Sequence, residues 1–133
     1  MYNKFTKYKN DYLAEAQTVP ASDTNADGNG GAFDLGGALG GIEIVAQVNT
    51  DIVVPDTKIF SVLLLHSDDG DSYTTLETLY TITSSGGDTL LADTVLGRYI
   101  VPNDAKPYIK ANIVCNDTGF TGKIDVFQNY LQR

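Results

Sequence analysis

The chain has 133 residues, with nine Lys and Arg against seventeen Asp and Glu, a net charge of −8 and a pI near 4.3. That length suits one domain able to bury a core without covalent staples. The single cysteine, Cys115, excludes a disulfide framework or a thiolate metal cluster within one chain. So acidic a chain is repelled by nucleic-acid phosphates and anionic lipid headgroups, which argues against either as a partner.

Met1 to Asn10 runs against the overall sign. Lys4, Lys7 and Lys9 stand there without an acid, so this arm carries +3 and residues 11–133 carry −11. Phe5, Tyr8 and Tyr12 interleave with the lysines. Tyr8, Tyr12 and Leu13, followed by Ala14-Glu15-Ala16, allow one or two turns of helix before Pro20. Alone, so short a helix is marginal and orders only by docking. Cations mixed with aromatics suit an acidic, partly apolar protein surface, because aromatics are enriched at interface centres. Ala21 to Gly31 is polar and glycine-rich and reads as a linker or long loop. The division that follows is arm and linker over 1–31 and a folded domain over 32–133.

Asp23-x-Asn25-x-Asp27-Gly28, with Asp34 at the twelfth position, has the spacing of a calcium loop. It departs at its end. Asp34 is shorter than the usual bidentate Glu, Gly30 replaces the apolar anchor, and a strand pattern follows instead of a helix. Asp, Asn and Gly also dominate ordinary turns, so turn chemistry is the plainer reading. Asp68, Asp69 and Asp71 read the same way.

From Phe33 onward the pattern is β. Ile42 to Val48 alternates as a half-buried strand. Pro55-Asp56-Thr57 is a turn. Lys58 to His66 is apolar on both phases, with Phe60, Val62 and Leu64 on one and Ile59, Leu63 and Leu65 on the other. Such a strand is expected to be covered on both faces, by the core and by a neighbouring segment or subunit. Tyr73 to Thr83, Gly97 to Val101, Tyr108 to Asn116 and Lys123 to Leu131 are further strands, separated by Asp-, Gly-, Asn- and Pro-rich turns. Cys115 lies on the apolar phase of its strand as a small buried hydrophobe. Strands at this spacing, with no helix-length pattern between them, make an all-β antiparallel sandwich or barrel.

The inventory is not that of an enzyme. His66 is the only histidine, and Ser67, Asp68 and Asp69 stand beside it in sequence, whereas a catalytic triad needs its nucleophile across from the imidazole. Neither a nucleophile elbow nor a phosphate-binding loop occurs. No cofactor is implied. An alternative to a structural role is a carbohydrate-binding sandwich, with Tyr73, Tyr80, Tyr99 and Tyr108 as platform aromatics.

Several segments together resemble a known family: Ala16 to Ser22, then Phe33-Asp34-Leu35-Gly36, Ile42 to Val48, and Ile59 to Leu65 running into Ser67-Asp68. Arg98-Tyr99-Ile100-Val101, Tyr108 to Val114 and Thr121-Gly122-Lys123-Ile124 complete the series. In this order they resemble the capsid cement, or head decoration, proteins of tailed double-stranded-DNA bacteriophages. The resemblance implies a jelly-roll sandwich of about eight strands behind an extended or short-helical arm. It implies a structural virion protein that binds the outer surface of the major capsid protein shell. As a dimer or trimer it would bridge neighbouring capsomers. The residues expected at capsid or oligomer contacts are Lys4, Phe5, Lys7, Tyr8, Lys9 and Tyr12 on the arm, and Ile59, Leu63 and Leu65 on the body.

Overall fold

A computed structural model describes residues 12–19, 25–34, 42–102, 104–116 and 119–130. These contain ten strands and no helix: β1 (Tyr12–Thr18), β2 (Asn25–Asp27), β3 (Phe33–Asp34), β4 (Ile42–Val54), β5 (Ile59–Ser67), β6 (Thr74–Thr83), β7 (Asp88–Leu90), β8 (Val95–Ile100), β9 (Tyr108–Cys115) and β10 (Thr121–Tyr130). Every pairing is antiparallel. One sheet is ordered β1-β10-β4, with β7 and β8 both on the far side of β4; the other is β9-β5-β6, with β2 and β3 both on the far side of β9.

Two of these pairs are single strands broken in the middle. β7 pairs with Ile52–Val54 and β8 with Glu43–Gln47 of the same strand. The break comes where Asp93 takes a φ of 71° and its N–H donates to the Val48 carbonyl at 2.8 Å. β2 and β3 likewise share one edge of β9, interrupted by a turn over 28–32. Merging each pair leaves eight rows, four per sheet, ordered 1-8-3-6 and 2-7-4-5 in the chain. That is a jelly roll, as expected.

The core lies between the sheets. Phe60, Val62 and Leu64 of β5, with Ile109, Ala111, Ile113 and Cys115 of β9, meet Ile44, Ala46, Val48, Ile52, Ile124 and Val126 of β4 and β10. Burying one such Ile, Leu or Phe contributes about 1.5–3 kcal/mol. Both phases of β9 fall as their alternation predicts, with Tyr108, Lys110, Asn112 and Val114 half-buried on the outside.

Three local expectations need correcting. Tyr12 to Thr18 is a strand, not a helix. Its ladder with β10 overrides the helix preference of Ala14-Glu15-Ala16, and Ala16 leaves regular geometry at a φ of 46° with its N–H on Asp125 Oδ1. Part of the glycine-rich stretch, Asn25–Asp27, is also a strand. Finally, the strand buried on both faces is β4 rather than β5. Ile42 to Val48 are all buried, whereas Ile59 is exposed and Leu63 and Leu65 are only half-buried. The polar residues of β4 tolerate this because they are bonded. Glu43 accepts from Arg98 Nε and Nη2 at 3.2 and 3.0 Å and from Asn129 at 3.1 Å, and Gln47 donates to the Asp93 carbonyl.

The two sheets touch at both edges. On one side Gly30 donates to the Leu13 carbonyl, and a Cβ there would lie 2.0 Å from the Tyr12 carbonyl oxygen. Asn29 fastens the same seam, with its amide bonded to both the N–H and the carbonyl of Glu15. On the other side Gly97 of β8 lies against β6, where a Cβ would come 2.1 Å from the Leu79 carbonyl oxygen.

Candidate functional site

The register fixes the outward face of the β9-β5-β6 sheet. Leu63 lies opposite Asn112 and Thr78, and Leu65 opposite Lys110 and Thr75. Alternation puts all of these away from the core. Ile59, Leu63 and Leu65 therefore share one face with Tyr108 and Val114. This is a partly covered apolar stripe, with only Ile59 reaching 37% exposure.

A polar and aromatic cluster adjoins the stripe. Lys110 Nζ donates to Asp27 Oδ2 at 2.8 Å and sits 4.3 Å from the centre of the Tyr73 ring. Asn112 donates to Asp27 Oδ1 at 3.1 Å. The Lys110 bond holds the Asp27 carboxyl below its usual range, with Asn112 adding to it and partial burial opposing it. The Tyr73 hydroxyl is buried and finds no hydrogen-bond partner among the described residues. Of the other tyrosines considered as a platform, Tyr108 is on this face, while Tyr80 and Tyr99 pack against the core.

The turn after β5 is occupied by its own backbone. Asp69 Oδ1 accepts from the N–H groups of Ser72 and Asp71 and from the Ser67 hydroxyl. These bonds push its pKa down to about 2. His66 accepts the Lys106 N–H on Nδ1 at 3.2 Å. Burial, then the Lys106 charge, lower its pKa. Lys106 Nζ lies 3.6 Å from Asp68 Oδ2.

The calcium spacing does not close around one point. Asp27 sits opposite Asn112 and Asp34 opposite Tyr108. Four residues along β9 place these positions about 13 Å apart, while a calcium ion needs oxygens at roughly 2.3–2.6 Å. Among the described residues no group of three or more His, Cys, Asp or Glu side chains gathers. Asp23 lies outside the described residues, as do Lys4, Phe5, Lys7, Tyr8 and Lys9. Tyr12 is part of the body: its ring is 5.8 Å from that of Phe127, and burial, then Asp125 and Glu15, raise its hydroxyl pKa.

Sequence reasoning missed the more exposed apolar surface. Of the five large hydrophobics with the greatest exposure among the described residues, only Ile59 belongs to β5. Val53 (40%), Leu91 (61%), Val95 (38%) and Ile100 (56%) lie on β4, the turn after β7, and β8. Leu91 is an apolar residue inside a turn, and that was the one available signal.

No known protein family's sequence profile matches the chain, and no curated protein matches it in sequence. Among solved structures, one described as "CBM4 structure and function" is similar at 16% identity and a TM-score of 0.41. The similarity covers 77% of this chain but 56% of that one, so the chain spans little more than half of the neighbour's length.

Proposed function

We propose that this is a non-enzymatic structural protein that works by docking on other proteins. On the resemblance described above, it is a capsid decoration protein. It would sit on the outer surface of a virion, bind the major capsid protein as a small homo-oligomer and bridge neighbouring capsomers. The observation that supports a docking role is the outward stripe of Ile59, Leu63 and Leu65 beside Tyr108 and Val114. Contiguous apolar surface on a strongly charged body marks interaction sites. Bridging several subunits turns modest contacts into durable attachment.

Mass spectrometry of particles purified from the virus that encodes the chain tests this reading. Near-stoichiometric copy number is expected, and absence from the particles defeats it. The arm is tested separately by removing residues 1–10. That cut spares Leu13 and Ala14, which a cut at residue 15 would strip from the core. Loss of co-sedimentation with capsids is expected, and full retention removes the arm from the contact.

A second reading, a carbohydrate-binding sandwich, is favoured by Tyr73 lying against Lys110, which with Asn112 bonds Asp27, and by Tyr108 further along the same face. Aromatic faces beside paired polar groups suit a sugar ring and its hydroxyls. Silence on a glycan array retires it.

A further inference from the structure

The β4-β7-β8 side of the sandwich presents a surface unlike that of β5. Val53 is opposite Thr89 and one step diagonal to Leu91, within side-chain reach on a pleated sheet. The chain between β7 and β8 folds back on β4 here, with the Ala92 N–H donating to Asp51 Oδ1 at 2.8 Å and Asp93 bonded to Val48. Val95 continues the same edge opposite Gln47. The exposed Val53, Leu91 and Val95 are thereby set near the exposed Asp51 and Asp93, while Asp88 pairs with the buried Val54 and belongs to the other face. Among the described residues neither Asp51 nor Asp93 is held in an ion pair.

We infer that the surface formed by Val53, Leu91 and Val95 with Asp51 and Asp93 is a second docking site, and that its partner is a basic, partly apolar protein segment. The charge decides the occupant. A second copy presenting this surface would set two carboxylates against two and be repelled. A segment alternating cationic and aliphatic side chains matches both features, its aliphatics covering Leu91 and Val53 and its cations reaching the aspartates. The inference goes beyond the decoration role. It gives the molecule contact surfaces on both sheets, which is what a bridging protein requires.

The test uses the full chain, a short synthetic peptide alternating lysine and valine, and backbone amide shifts. Saturable shifts are expected at Val53, Thr89 and residues 91–95, with a glutamate–valine peptide producing none. Leu91→Ser should raise Kd about tenfold, because it removes most of one buried leucine from the contact. Asp51→Asn with Asp93→Asn should weaken binding similarly at low salt and abolish most of its salt dependence. Asn tolerates the positive φ of Asp93, so that variant retains the turn. Three results would overturn the inference. One is non-saturating shifts spread over the acidic surface, and another is a wild-type Kd for a folded Leu91→Ser. The third is shifts at these residues that follow protein concentration without peptide, which would make the occupant a second copy. No arm involves capsids, so this outcome and that of the particle analysis are independent.

Discussion

Gly97→Ala isolates the seam between β6 and β8. Gly97 has no positive φ, so the substitution asks only whether there is room. The added carbon would stand 2.1 Å from the Leu79 carbonyl oxygen and 2.9 Å from its carbon, and both atoms are backbone. A side chain can rotate away from such a clash, but a strand must move. Inserting one carbon into packed structure costs typically about 1–3 kcal/mol, and a backbone obstacle places this case at the upper end. For a domain of this size each kcal/mol lowers Tm by roughly 3–5 °C, so a fall of about 10 °C is expected. Thermal unfolding by circular dichroism measures it. Thr78→Ala is the control, being exposed beside Leu79 and worth within about 0.5 kcal/mol. A Gly97→Ala protein melting within a degree of wild type would refute the close approach of the two sheets at this edge.

Further outcomes follow from the other bonded groups. Lys110→Met should return the Asp27 pKa toward the ordinary carboxylate value in an NMR titration. Because the folded pKa of Asp27 is depressed, its contribution exists above the unfolded value and disappears as pH falls through the folded one. With the Asp27 side chain 54% exposed, the wild-type advantage at neutral pH should be under about 1 kcal/mol and vanish once the pH has fallen below the lowered folded pKa. Ser67→Ala should raise the Asp69 pKa only part of the way from about 2, because the stronger bonds from the Ser72 and Asp71 N–H groups remain. Cys115 is buried and its pKa is pushed up to about 12, so a thiol reagent at pH 8 should label it only in denaturant. Labelling at the free-thiol rate in native buffer would place that strand outside the core.

What could be read from the sequence was what depends on neighbours in the chain. The alternation of Tyr108 to Cys115 determines its faces because the side-chain period of a strand is local, and Pro55, Gly86 and Gly87 mark turns for equally local reasons. The misreadings all concern partners far away. Ala14-Glu15-Ala16 favours a helix by itself, and only β10, more than a hundred residues on, makes it a strand. Glu43 and Gln47 look solvent-facing until Arg98, Asn129 and the Asp93 carbonyl meet them. Leu63 and Leu65 look like a second buried face, yet β5 is covered fully on one side only. The surface around Leu91 was hidden for the same reason, since its apolar members come from β4, the turn after β7 and β8.

The position of β10 between β1 and β4 governs how the chain can be made. Tyr12 pairs with Phe127, so β1 has no ladder partner until β10, more than a hundred residues later in the chain, has been made. Leu13 and Ala14, buried in the finished fold, stay uncovered throughout that interval. Pairings this distant in sequence make folding slow and leave apolar segments open to aggregation meanwhile. Growing temperature and synthesis rate should therefore govern the yield of soluble protein more strongly than its final stability does, and nonsense products ending before Thr121 should accumulate as aggregates.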